Sequence, residues 1–213
     1  MTDKVLLTGA SGWIAKHIAI ELLNSGYEVL GTVRNNTLIK QTKETISQYA
    51  SIDKLSFTEL DLLKNDGWNE VAQGCKYIMH LASPFPFKVS NNRNSLLAPA
   101  VDGTLRVLNA GLNANVEQFI VTSSIAAMFR KPGRSNPYSF NENDWTDENW
   151  KEGVNDYFLS KTKAEKAAWE LMEGKGLKNK LTMINPVGVF GDALDKKGGT
   201  SIEYVRQFLK GKF

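Results

Sequence analysis

Cysteine is nearly absent. The single Cys75 excludes an internal disulfide, fits a reducing compartment, and reads as a small core residue near the start of a strand. No apolar run approaches the length of a membrane span, and the chain enters a strand at once with no secretory leader. These two absences predict a soluble cytoplasmic protein with no membrane partner. Charge of one sign is scarce too: 26 Lys+Arg stand against 23 Asp+Glu, a formal net charge of +3. The lysines are scattered and not gathered into a stripe with interleaved aromatics, so nucleic acid is not a natural partner. His80 lies inside a predicted strand with no second metal-type residue placed to join it, and reads as a packed imidazole; no metal is expected. There is no internal repeat, low-complexity tract or linker. A chain of 213 residues buries a sizeable core and is most simply one domain, residues 1–213.

What the chain does have is concentrated at its start, in Lys4 to Ala19, KVLLTGASGWIAKHIA. Val5, Leu6 and Leu7 read as a buried parallel strand, Thr8 to Gly12 as a turn, and Ile14, Ile18 and Leu22 with Ala15 and Ala19 as one face of a helix. Gly9 suits the tight turn and Gly12 the close approach of a backbone to a pyrophosphate, which the helix N-terminus then receives. Ala15 stands at the third fingerprint position, where close helix-to-strand packing requires a small residue. Asn24-Ser25-Gly26 closes the helix and a second strand, Glu28 to Val33, follows. No acid is available at the end of that strand for a ribose 2′-hydroxyl. Arg34 is there instead, a planar fork of donors that suits a 2′-phosphate and so NADP(H); the alternative is a solvated arginine at a strand end.

Further strands are expected at Leu55 to Leu60, Tyr77 to Leu81, Gln118 to Thr122 and Leu181 to Asn185. Helices are expected at Leu38 to Tyr49, Leu97 to Ala114, Tyr157 to Glu173 and Ile202 to Leu209. Alternation of this kind gives an α/β, Rossmann-type doubly wound parallel sheet. Asp102-Gly103-Thr104 is expected to let its helix pack tightly under the sheet. Asp61, just past the third strand, either meets an adenine amino group with Leu62 against the ring or caps the next short helix. Lys131 to Asn155 is irregular and rich in Asn, Pro and Trp, and is expected to be a substrate-side loop.

Tyr157 and Lys161 are four apart on one helix and share a face. A lysine cation and an oxidised nicotinamide beside a phenol favour the phenolate and lower its pKa, so such a tyrosine can pass a proton to a carbonyl oxygen. Ser124, at a strand end, is placed to hydrogen-bond that same oxygen.

The glycine turn, the strand-end serine and the Tyr/Lys helix, in that order on a parallel sheet, resemble the extended branch of the short-chain dehydrogenase/reductase superfamily. The motifs from Thr8 to Ala15, Thr32-Val-Arg34, His80-Leu-Ala-Ser-Pro-Phe, Thr122-Ser-Ser, Tyr157-Phe-Leu-Ser-Lys161 with its following residues to Trp169, and Asn185 to Gly191 are similar to the dihydroflavonol 4-reductase group. Within that group the nearest likeness is to the microbial aldehyde, methylglyoxal and ketone reductases, and it covers essentially the whole chain.

The resemblance implies catalytic roles for Ser124, Tyr157 and Lys161, with Lys161 also holding the nicotinamide ribose. It implies Gly9, Ser11, Gly12, Trp13 and Ile14 at the pyrophosphate, Arg34 at the 2′-phosphate, and Asp61 with Leu62 at the adenine. Ala82 and Ser83 would border the ribose, Pro186 and Val187 the carboxamide, and Ser123 is a further neighbour. The implied activity is NADPH-dependent reduction of a small-molecule aldehyde or ketone near Phe85, Phe87, Phe129, Tyr138 and Trp145, aromatics that serve equally as core. A nucleotide-sugar epimerase or dehydratase of the same branch, and a non-catalytic NADP-binding sensor or scaffold, are the alternatives. A homodimer through the helices carrying Leu105 and Ala164 is compatible with the resemblance. Ala15 departs from the usual third glycine. Members of the group also run well past this point, so a chain ending at Phe213 is expected to lack the remainder of the substrate-binding region.

Overall fold

The computed structural model describes residues 2–83, 94–195 and 198–212. Its elements are β1 (Lys4–Thr8), α1 (Trp13–Asn24), β2 (Glu28–Val33), α2 (Thr37–Ile46), β3 (Leu55–Glu59), α3 (Trp68–Ala72) and β4 (Tyr77–His80), followed by α4 (Asn94–Asn113), β5 (Gln118–Thr122), α5 (Asp156–Gly174), β6 (Leu181–Ile184) and α6 (Thr200–Leu209). The strands lie in the order β3-β2-β1-β4-β5-β6 and every neighbouring pair is parallel.

Both faces of the sheet are covered, which is why its strands read as apolar runs and not as an alternating pattern. Neighbouring residues of β1 show the division. Leu6 joins Trp68, Ile78, Phe119, Ala168 and Met172 on one face, and Leu7 joins Ala15, Ala19, Val29 and Ile46 on the other. Cys75 belongs to the first cluster, as a small core residue should, and burial pushes its thiol up. Strand order reverses between β1 and β4, so a crevice opens outside their carboxyl ends. No helix among the described residues is long and apolar enough to cross a membrane, and no group of metal-ligating side chains occurs among them.

The helix under the sheet differs from its sequence pattern in two respects. It begins at Asn94, three residues before the apolar periodicity, and carries Pro99 inside it. Its close approach to the sheet is also at a different glycine: Gly103 faces Leu62, whereas a Cβ on Gly111 would sit 2.4 Å from Phe119 and 2.5 Å from Ile78. Both of those side chains are fully buried. Gly111→Ala is therefore expected to destabilise the chain by about 1–3 kcal/mol through overpacking. Urea denaturation reads this directly, and an unchanged midpoint would contradict the contact.

Candidate active site

The first wall of the crevice is the turn between β1 and α1. Gly9 has φ +69°, a left-handed conformation that L side chains resist, and a Cβ there would lie 2.9 Å from the Ala82 Cα at the exit of β4. Gly12 donates its N–H to the Gly9 carbonyl at 2.8 Å and leads into α1 in extended conformation. The turn thereby points the free amide donors of α1 into the crevice. Ala15 is buried against β1, in keeping with its fingerprint position.

The second wall is made by the exits of β5 and β6, which are tied together. Ser123 donates its N–H to Ile184 at 2.8 Å, Ile125 donates to Pro186 at 3.0 Å, and the Asn185 amide donates to the Ser124 carbonyl at 3.2 Å. Ser124 starts a short 3₁₀ turn, Ile125–Ala127, and its hydroxyl accepts the Ala126 N–H. Across from it, Asn155 caps α5 by accepting the Phe158 N–H at 3.0 Å, which fixes Tyr157 in the first turn. The Ser124 hydroxyl is close enough to the Tyr157 phenol to act on its pKa: burial holds the phenol above its ordinary value, and the hydroxyl offsets only part of that. The lowering expected from Lys161 and an oxidised nicotinamide refers to the site with its cofactor bound, and desolvation is a contribution that spacing does not show.

Lys161 stands one turn after Tyr157, buried, with its Nζ 3.5 Å from the Thr122 carbonyl oxygen. Burial lowers its pKa to about 8, and the carboxylate of Glu165, held by Asn185 at 2.7 Å, acts in the opposite direction. A lysine depressed in this way binds its proton more weakly folded than unfolded, so its contribution to stability grows as pH rises from its folded towards its unfolded pKa. The stability difference between the wild type and Lys161→Met is expected to shift in favour of the wild type by about 2 kcal/mol between pH 7.5 and 9.5. Urea denaturation of both proteins at the two pH values measures it.

These walls enclose a cavity of about 690 Å³. Gly9, Ser11, Gly12, Trp13 and Ile14 line it from one side, and Ser124, Tyr157 and Lys161 from the other. Ser83, Pro186 and Val187 also line it. Ser123 lines it as well, and its hydroxyl is buried with no hydrogen-bond partner. Glycines that leave no room for a side chain, free helix amides, an unsatisfied hydroxyl and a buried lysine together fit a dinucleotide.

Other expected residues lie elsewhere. Ala82 packs against Gly9 and does not line this cavity. Arg34 is exposed just past β2. Asp61 accepts the Leu63 N–H at 2.9 Å and Leu62 packs on Gly103, while α3 starts at Trp68 behind Gly67, so Asp61 does not cap that helix. Phe129 and Tyr138 are outside the cavity wall: Phe129 stacks on Phe158 with Arg130 over both rings, and Tyr138 donates to Asp144, which pairs with Arg134. Aromatic character marked them, but their partners on the 128–158 segment use those rings. Phe85 and Phe87 lie outside the described residues. Ala164 is buried and lines a small internal cavity beside His80 and Thr104.

The sequence matches the NAD dependent epimerase/dehydratase family over residues 5–212. The chain belongs to that family. Over 208 residues it is 35% identical to cinnamoyl-CoA reductase 2 of Arabidopsis thaliana, covering 97% of this chain and 60% of that protein. It is 34% identical to the NADPH-dependent methylglyoxal reductase of Saccharomyces cerevisiae, covering 96% of this chain and 65% of that one. The crystal structure of yeast methylglyoxal/isovaleraldehyde reductase complexed with NADPH superposes with a TM-score of 0.83 at 33% identity, covering 97% of this chain and 66% of that structure. The chain thus spans about three fifths of the length of the first curated relative it matches.

This family member has three supports that sequence reading missed. The first lies under the glycine turn: the Thr8 hydroxyl accepts the N–H groups of Leu81 and Ala82 at 3.1 and 3.0 Å. Both its lone pairs are then used, so its proton goes to His80 Nδ1, 2.7 Å away. The imidazole is accordingly protonated on Nε2, which faces the Thr104 hydroxyl at 3.3 Å. Burial, and then the charge of Lys161, lower the His80 pKa to about 3. The second support crosses the start of α1, where Lys16 pairs with Asp195 and the Trp13 indole donates to the Asp192 carbonyl at 2.9 Å. Gly199 packs against the Trp13 ring. The third is an acid near Arg34: Glu59, contributed by β3, accepts the Asn36 N–H at 2.9 Å.

Proposed function

We propose that this chain carries the cofactor and proton-transfer half of an NADPH-dependent reductase acting on an aldehyde or ketone. The observation that supports it most is that Ser124, Tyr157 and Lys161 line the same cavity as the glycine turn. In this reading Gly9, Ser11, Gly12 and Ile14 hold the pyrophosphate, Arg34 faces the 2′-phosphate, Lys161 holds the ribose, and Pro186 and Val187 meet the carboxamide. Asp61 and Leu62 border the adenine through their backbone turn. The bound cofactor supplies hydride to the carbonyl carbon.

The chain's own groups do the rest. Ser124 donates to the carbonyl oxygen and keeps it beside Tyr157. Tyr157 gives that oxygen its proton as charge develops, and the Lys161 cation stabilises the phenolate left behind. Burial keeps the phenol protonated, the form that donates to a carbonyl oxygen. A site that begins by oxidising a sugar hydroxyl needs the phenolate first.

The test is loss of NADPH absorbance with a panel of aldehydes and ketones, run beside binding titrations with UDP-sugars. Consumption with simple carbonyls is the expected result. Binding of NADPH with no consumption would favour a sensor, and tight UDP-sugar binding would favour an epimerase.

A further inference from the structure

The ends of β2 and β3 bring opposite charges to one place. Their register sets Val33 opposite Glu59, so Arg34 and Glu59 leave the carboxyl edge of the sheet as neighbours, both exposed to solvent. The Glu59 carboxylate accepts the N–H of Asn36, the residue that precedes α2 and makes no side-chain cap of its own. The start of α2 is a place where an anion is favoured, and a carboxylate of this chain already stands there. In a dinucleotide groove of this topology an acid at the end of β2 accepts from a ribose 2′-hydroxyl, and an arginine nearby holds a 2′-phosphate; here the arginine follows β2 and the acid ends β3, its neighbour in the sheet. This chain presents one of each.

We propose that Glu59 is a specificity-determining residue that narrows the preference for the 2′-phosphate and lets the groove take NADH as well as NADPH. The inference rests on the dinucleotide reading above. A 2′-phosphate carries up to two negative charges near neutral pH. Arg34 attracts it, but Glu59 repels it and engages an N–H that the phosphate oxygens need. A 2′-hydroxyl is a donor, and the same carboxylate accepts from it. The two contributions oppose each other, so the wild-type affinities for NADPH and NADH are expected to lie within about tenfold.

The experiment is equilibrium titration of the whole chain with NADPH and with NADH, followed by calorimetry or by quenching of tryptophan fluorescence. Glu59→Gln removes the charge and keeps the shape, and should raise the NADPH-to-NADH affinity ratio by about tenfold. Glu59→Ala should move the ratio in the same direction, so the result does not depend on one variant. Arg34→Ala should move it the opposite way by weakening NADPH alone. An unchanged ratio in both Glu59 variants, or an equal gain for both dinucleotides, overturns the role of Glu59 and leaves the groove reading standing. Failure of the wild type to bind either dinucleotide overturns both.

Discussion

Replacing Tyr157 with phenylalanine is expected to lower kcat for carbonyl reduction by about two to four orders of magnitude while the NADPH dissociation constant stays within about twofold of the wild type. The substitution deletes one oxygen. The ring keeps its edge contact with Phe158 at 6.3 Å, and Ser124 keeps the Ala126 N–H, so neither wall of the cavity loses its packing. What disappears is the only part of the side chain able to transfer a proton. Steady-state turnover with a simple aldehyde and a parallel cofactor titration separate the two quantities. Near-wild-type turnover in this variant would show that the proton comes from another group, and the proposed mechanism would fall.

The second large effect is expected at Gly9. An alanine there must hold φ near +69°, at about 1–2 kcal/mol, and must push its Cβ against the Ala82 Cα at 2.9 Å. Backbone is not a flexible neighbour, so the β4 exit has to move. Gly9→Ala is expected to lose about 2–4 kcal/mol of stability and to weaken NADPH by more than about tenfold, since the displaced turn no longer aims the α1 amides. Thermal melts with and without NADPH measure both consequences. The wild type should gain stability from the ligand and the variant should gain little. A variant that melts like the wild type and retains the full ligand shift would mean that the turn does not need the conformation described.

The parts of this molecule that sequence reveals are those set by local rules. The strand, glycine turn and helix from Lys4 to Asn24 are legible from their own residues, and the four-residue spacing of Tyr157 and Lys161 fixes a shared helical face. The doubly wound parallel sheet is also legible, because short apolar runs alternate with helices and parallel connections have one hand. What sequence does not reveal depends on which elements become neighbours. Glu59 reaches the Arg34 turn only because β3 lies beside β2, and the end of β2 itself carries no acid. Lys16 and Asp195 are 179 residues apart, and nothing in either segment announces the other. Phe129 and Tyr138 show the converse, where residue type pointed to substrate and the structure sets the rings outside the cavity wall against Arg130 and Arg134. The Tyr157 phenol shows the same dependence in its energetics, since burial raises its pKa and the Ser124 hydroxyl lowers it only in part, and neither is visible in spacing.

The chain of hydroxyls around His80 has a consequence for measurements made in acid. Each hydrogen between Thr8 and Thr104 has only one direction available, and a second proton on the imidazole would set a donor against the Thr8 hydroxyl. With a pKa near 3 that reversal is absent throughout the range in which unperturbed histidines titrate. The support beneath Gly9 therefore stays constant from mild acid to neutrality, and any change in cofactor affinity over that interval must be traced to a different part of the molecule.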